Sequence, residues 1–174
     1  MYHIMKTLSI LRHAKSSWKD LDVPDHERPL NRRGMHDAPL MGKLLRDQNI
    51  TPDLIISSTA IRAETTARLV AKACKYKGEI IFDKSVYNTE PIDALNLLSR
   101  SSDRYCSILL VGHNPTVEEI IQLLTGSTEI IMSTCALAHL TIAIDKWTDI
   151  NKKQVAKAKL VRLWSPKELS QSSR

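Results

Sequence analysis

The feature that most constrains this fold is an alternation of short apolar runs with segments of helical spacing. Aliphatic and β-branched residues cluster at Thr7 to Leu11, Leu54 to Ser57, Ile80 to Phe82 and Ser107 to Val111. Each run is too short for a helix and is bounded by polar or glycine residues, the mark of a strand buried on both faces. Between the runs lie segments whose apolar residues have helical spacing. The sets are Ala38, Met41, Leu44 and Leu45; Ile61, Leu69, Val70 and Ala73; Ile92, Leu95 and Leu98; and Val117, Ile120, Ile121 and Leu124. A β-α-β-α order predicts a three-layer α/β sandwich, with a mostly parallel central sheet flanked by helices. Two later runs, Ala136 to Ile144 and Ala158 to Trp164, flank a lysine-rich stretch around Lys146 to Lys153. They read as an antiparallel strand pair added to the sheet near the C-terminus. A length of 174 residues suits one core, so residues 1–169 are expected to form a single domain and 170–174 a short polar tail.

Composition narrows the classes of function. With 43% apolar and 25% charged residues, the chain reads as a soluble globular protein. Met1 to Lys6 do not resemble a signal peptide, and no run approaches the ~20 apolar residues of a membrane span. The cysteines Cys74, Cys106 and Cys135 are odd in number and widely spaced. They read as buried thiols in a reducing cytoplasm. A net charge of +6 includes a basic cluster at Lys152, Lys153, Lys157 and Lys159, but no aromatic residues interleave with it. A basic face that attracts an anionic substrate or an acidic partner is therefore expected, rather than nucleic-acid binding.

In open α/β sheets, ligands bind outside the carboxyl ends of the strands. Three of the predicted strands end in reactive or cationic residues. The first ends in Arg12 and His13, the second leads through Ser57 and Ser58 to Arg62, and the fourth ends in Gly112, His113 and Asn114. Asn114 reads as a helix N-cap with Pro115 at the first helical position, Glu118 and Glu119 in the first turn, and Gly126 as the stop. Ser58 or Thr59 reads as the cap of the helix that carries Arg62. There a cation meets the positive end of the helix dipole, which is locally unfavourable. Two arginines, two histidines and helix N-termini make a pocket rich in donors and poor in acceptors, as a phosphoryl dianion requires. His13 can attack phosphorus as a neutral imidazole, and His113 can stabilise charge on the transferring group. A metal site built from His13, His36, His113 or His139 would lack a ligand-spaced pair and a carboxylate cluster, and guanidiniums would repel a divalent cation. There is also no glycine-rich phosphate loop and no nucleophile elbow.

Four ordered motifs, "LRHAKSSW", "RPLNRRG", "SSTAIRAETT" and "LLVGHNPTV", resemble those of the histidine phosphatase superfamily, most closely its small SixA-like phosphohistidine phosphatases. The resemblance runs from about Lys6 to Thr125, and "STCALAHLTI" continues it to Ile142. It implies an α/β sandwich of the phosphoglycerate mutase-like type with no metal or organic cofactor. The family's Arg-His pair falls on Arg12 and His13, its second arginine on Arg62 and its second histidine on His113. His13 would be the residue transiently phosphorylated. The implied substrate is a phosphohistidine protein, such as a phosphotransfer domain in a signalling chain. Where many relatives carry glycine after the Arg-His pair, this chain has Ala14, which suffices unless a positive φ is required.

Mutase-like relatives also place a carboxylate general acid after the third strand. The corresponding region here is "VYNTEPIDAL", in which Glu90 serves equally well as that acid or as a helix N-terminal residue, and Asp93 is similarly placed. Lacking an acid, the site would favour a labile P–N bond over an alkyl ester. Ser16 is a further candidate donor to phosphate. Arg28 could reach the pocket, although a role in tying its loop to the domain is favoured. Trp18 is expected to anchor the loop and Trp164 to lie in the core. Two other readings stand beside phosphohistidine hydrolysis: a small-metabolite phosphomonoesterase or mutase, and a non-catalytic phosphate-binding module.

Overall fold

The computed structural model describes residues 5–20, 22–151 and 158–171. Six strands form one sheet: β1 (Lys6–Arg12), β2 (Leu54–Ser58), β3 (Ile80–Asp83), β4 (Ser107–Gly112), β5 (Leu137–Ile142) and β6 (Ala158–Trp164). Their order across the sheet is β3-β2-β4-β1-β5-β6. The contacts β3-β2, β2-β4 and β4-β1 are parallel, whereas β5 runs antiparallel to both β1 and β6. Five α-helices, α1 (Arg32–Asp47), α2 (Ile61–Ala73), α3 (Pro91–Ser99), α4 (Thr116–Thr125) and α5 (Pro166–Gln171), and three single 3-10 turns, Asp25–Glu27, Lys84–Val86 and Trp147–Asp149, complete the described fold. The expected sandwich, mostly parallel with an antiparallel C-terminal pair, is the observed one.

Side chains of a strand alternate between faces, and here both faces are apolar. Leu8 and Ile10 of β1, Leu54 and Ile56 of β2, and Ile108 and Leu110 of β4 join α3 and α4 in one core cluster. Leu11, Ile55, Leu109 and Val111 join α1 and α2 in the other. Fully burying one such side chain contributes roughly 1.5–3 kcal/mol, so the central strands can turn neither face to water. That burial leaves the strands' carboxyl ends as the place where polar chemistry can collect.

Several local expectations need correction. Asn114 does not cap α4. The helix begins at Thr116 with Pro115 at its N-cap, the Asn114-Pro115 peptide is cis, and the Asn114 amide instead donates to Glu118 Oε1 at 2.7 Å. Neither Ser58 nor Thr59 is the N-cap of α2. Ala60 holds that position, while Ser58 Oγ accepts from the Ala60 N–H. Cys106 is exposed rather than buried, because it lies in the approach to β4 before the strand enters the core; Cys74 and Cys135 are buried. Trp18 is 64% exposed and does not pack into the core, although the Arg28 guanidinium stacks on its ring at 3.2 Å from the centroid. Trp164 is half-buried against the α1/α2 cluster. Ser170 and Gln171, expected in the tail, belong to α5. Residues 172–174 and the lysines at 152, 153 and 157 lie outside the described residues. No described helix is long and apolar enough to cross a membrane.

Candidate active site

The sheet register brings the two histidines together. Arg12 pairs with Gly112 in parallel register, so the next residue of each strand is a histidine. His13 N–H donates to Gly112 O, and the imidazoles lie 5.0 Å apart between centroids. Both side chains are more than nine-tenths buried, as is Arg62. Arg62 enters from the first turn of α2, and its Nε donates to His13 Nε2 at 3.3 Å. The three predicted strand ends therefore do meet in one crevice.

The tautomer of His13 follows from its partners. Its Nδ1 lies 2.8 Å from Ala14 O. A carbonyl can only accept, so Nδ1 carries the proton and Nε2 keeps its lone pair toward Arg62. Ala14 is itself fixed by its N–H, which donates to Thr66 Oγ1, and that hydroxyl in turn donates to Arg62 O. Ala14 is absent from the residues with positive φ, so the methyl group in place of glycine costs no backbone strain. Cys135 does have φ of 63°, and its N–H reaches both Arg12 O and His13 O at 3.1 Å. A left-handed non-glycine residue is uncommon; here it fastens the loop before β5 to the end of β1.

Burial keeps both histidines neutral. Desolvation, reinforced by the cations Arg62, Arg12 and Arg28, lowers the His13 pKa to about 4 even though the bond to Ala14 opposes it. Desolvation and then His13 and Arg62 lower that of His113 to about 3. His113 Nε2 is 2.8 Å from Ser58 Oγ. Its Nδ1, the Nε of Arg12 and the Oδ1 of Asn114 are buried with no hydrogen-bond partner among the described residues. Arg12 donates through Nη1 to Met132 O.

The other candidates fall into place around this centre. Arg28 binds its own loop: Nε donates to Ser17 O, Nη1 to Asp25 Oδ1, and Nη2 to Ser16 Oγ at 2.8 Å. Ser16 is buried and bridges to Leu30, so its hydroxyl is engaged by Arg28. Glu90 is the N-cap residue of α3, with no side-chain capping bond. It lines a cavity of about 410 Å³ with Glu119, Gln122 and Leu123, not the cavity beside the histidines. That second cavity, about 200 Å³, is lined by Asp25, Arg62, Tyr87, Asn88, His113, Asn114, Pro115 and Thr116.

Asp25 and Tyr87 were not singled out from the sequence. Asp25 accepts from Arg62 Nη2 and from the Tyr87 hydroxyl, both at 2.8 Å, and its backbone carbonyl also accepts from Arg62 Nη1. The Tyr87 ring meets His113 edge-on at 5.5 Å. The available signal was the pairing rule for buried charge: an arginine in a helix's first turn needs an anion, and "PDHERPL" offers Asp25 and Glu27 beside the "RPLNRRG" motif, although nearness in sequence does not single them out from Asp20, Asp22 or Glu64. Among the described residues, no group of three or more histidine, cysteine, aspartate or glutamate side chains could hold a metal ion.

A parallel sheet that delivers neutral imidazoles and buried guanidiniums to one crevice defines a class of protein that handles phosphate-bearing substrates. The sequence profile of the histidine phosphatase superfamily, branch 1, matches residues 8–86. An uncharacterised chloroplastic protein of Arabidopsis thaliana is 33% identical over 155 residues, 84% of this chain and 71% of its own length. The crystal structure of a protein from Agrobacterium tumefaciens, provisionally assigned as phosphohistidine phosphatase SixA, superposes with a TM-score of 0.76 at 28% identity, covering 92% of this chain and 99% of that one. A similarly assigned structure from Nakamurella multipartitia gives a TM-score of 0.81 at 22% identity, covering 93% and 96%. The chain belongs to the histidine phosphatase superfamily and has a SixA-like fold, and the activity that this defines is that of a phosphatase.

Proposed function

We propose that the protein is a phosphohistidine phosphatase, cofactor-independent, that removes phosphate from a histidine side chain of a partner protein through a covalent intermediate on His13. The observation that carries this reading is the presentation of His13. Its Nδ1–H is committed to Ala14 O, its Nε2 lone pair is free of a proton, and Arg62 stands beside it. A nucleophilic imidazole needs that state at neutral pH.

In the first step the Nε2 lone pair of His13 forms a bond to phosphorus as the substrate's P–N bond breaks, and the electron pair returns to the departing imidazole. Arg12, Arg62 and His113 stabilise the charge on the three equatorial oxygens. In the second step water attacks the phosphorus, the His13 Nε2–P bond breaks and inorganic phosphate leaves. Throughout, Ala14 O holds the Nδ1 proton, which spreads the positive charge of the phosphorylated ring. The carboxylate facing the cavity, Asp25, is ionised, so no protonated acid stands ready for an alkoxide leaving group. That balance supports a P–N substrate over an alkyl ester.

The test is hydrolysis of a phosphohistidine-bearing phosphotransfer domain in parallel with phosphoserine and small phosphate esters. Turnover of the phosphohistidine domain that is lost in His13→Ala is the expected result. Full activity in that variant, or turnover of the esters alone, contradicts the reading.

A further inference from the structure

Asp25 is the single carboxylate among the residues lining the cavity beside His113 and Arg62. It is an acceptor in a site otherwise built of donors, and three donors hold it: Arg28 on Oδ1, and Arg62 and the Tyr87 hydroxyl on Oδ2. An ionised carboxylate offers about four acceptor positions, so one on Oδ1 remains. The side chain is 53% exposed. Asp25 therefore sits one guanidinium away from the His13 Nε2, with a free acceptor position and access to the crevice. Paired with two guanidiniums, this carboxylate still takes positive potential away from a phosphate dianion, and its free acceptor position suits a substrate that brings an N–H and a positive charge of its own.

We propose that Asp25 is a catalytic residue that recognises the leaving group: it accepts a hydrogen bond from the N–H of the substrate's phosphorylated imidazole, holds that ring as imidazolium and so selects phosphohistidine over phosphate esters. The inference rests on the phosphohistidine reading and adds a role that the two histidines and two arginines leave unfilled. With one ring nitrogen bonded to phosphorus and the other protonated, the ring is a cation. When His13 displaces it, the P–N electron pair neutralises that cation, and a neutral imidazole departs with its proton in place. Without the proton, the departing group would be an imidazolate, a far poorer leaving group. An alkoxide, by contrast, needs a proton delivered to it, and Asp25 has none to give. Partial burial pushes the Asp25 pKa up, but the Tyr87 hydroxyl and the Arg62 guanidinium outweigh it and bring the value down to about 2. The group is therefore a carboxylate at every pH at which the enzyme would work.

The experiment compares wild type, Asp25→Asn and Asp25→Glu on a phosphohistidine peptide and on p-nitrophenyl phosphate, whose phenolate leaves without a proton. Asp25 also braces Arg62, so Asp25→Asn is expected to slow both reactions. The loss in kcat on the peptide should exceed the loss on the aryl ester by about a hundredfold or more, the lower end of what one positioned acid-base group contributes. The alkaline limb of the kcat profile on the peptide should move to lower pH in Asp25→Asn and return toward the wild-type position in Asp25→Glu. Equal losses on both substrates, or an alkaline limb that stays where it was, would mean that Asp25 acts only through Arg62 and would overturn the proposal. If wild type hydrolyses the aryl ester and leaves the peptide untouched, the phosphohistidine reading fails first and the role of Asp25 falls with it.

Discussion

His13 shows how a single hydrogen bond can prepare a nucleophile. The Ala14 carbonyl fixes the tautomer, and burial among three arginines fixes the charge. In the unfolded chain a histidine titrates near 6.5. In the folded protein His13 and His113 stay neutral down to about 4 and about 3. The unfolded state thus binds more protons as pH falls below the ordinary histidine value, so both groups stabilise the fold above about pH 6.5 and lose that contribution as pH drops toward 4. Imidazole resonances followed by NMR in the ligand-free protein should show neither ring titrating between pH 8 and pH 5; a midpoint near 6.5 for His13 would contradict its burial among cations. Arg62 adds a geometric requirement, since its Nε faces His13 while its two Nη groups engage Asp25. Lysine keeps the charge but not the fork. Arg62→Lys should therefore lose about a hundredfold in kcat/KM, in the range for removing one fixed donor from a developing anion; a loss below threefold would mean that charge alone suffices.

At the scale of elements, the site depends on how closely α1 and α2 approach the loop after β1. Gly34, in the first turn of α1, has room for no side chain: an added Cβ would stand 2.3 Å from Lys15 O. Gly42 is as crowded, 2.5 Å from Val70 O of α2, but far along α1 from the catalytic loop in sequence. Both Gly34→Ala and Gly42→Ala should destabilise the protein by about 1–3 kcal/mol, the usual cost of overpacking, read as a lower denaturant midpoint. Only Gly34→Ala should also lower kcat, because it displaces the backbone two residues beyond His13; equal kcat values in the two folded variants would contradict this. The helix and strand runs were legible in the sequence because burial on both faces leaves an unmistakable apolar pattern, as in Ser107 to Val111. Arg12, His13, Arg62 and His113 were legible because strand ends in a parallel sheet share one edge. Asp25 and Tyr87 were not, since Asp25 opens a single 3-10 turn (Asp25–Glu27) and Tyr87 closes another (Lys84–Val86), segments too short for periodicity to fix direction. The reading of Asn114 as a cap failed because α4 begins one residue later than expected: Pro115 holds the N-cap position, and the Asn114 Oδ1 that would have capped has no partner among the described residues while its NH2 donates to Glu118.

The whole molecule presents a small phosphatase whose crevice opens at one edge of its sheet, on a chain of net charge +6. Such a field raises the encounter rate with an anionic partner and is screened within about 8 Å at physiological ionic strength. kcat/KM toward an acidic phosphohistidine protein should fall severalfold from low to physiological salt while kcat holds steady, and a salt-independent kcat/KM would assign the charge no part in encounter. The proposed turnover depends on the covalent step on His13. Its most direct measurement is rapid quenching of the enzyme at alkaline pH during turnover of a phosphohistidine peptide, followed by mass spectrometry that localises the phosphate. A single phosphate on His13 in the wild-type enzyme and none in His13→Ala is the expected result. Phosphate on another residue, or continued turnover by His13→Ala, would contradict it.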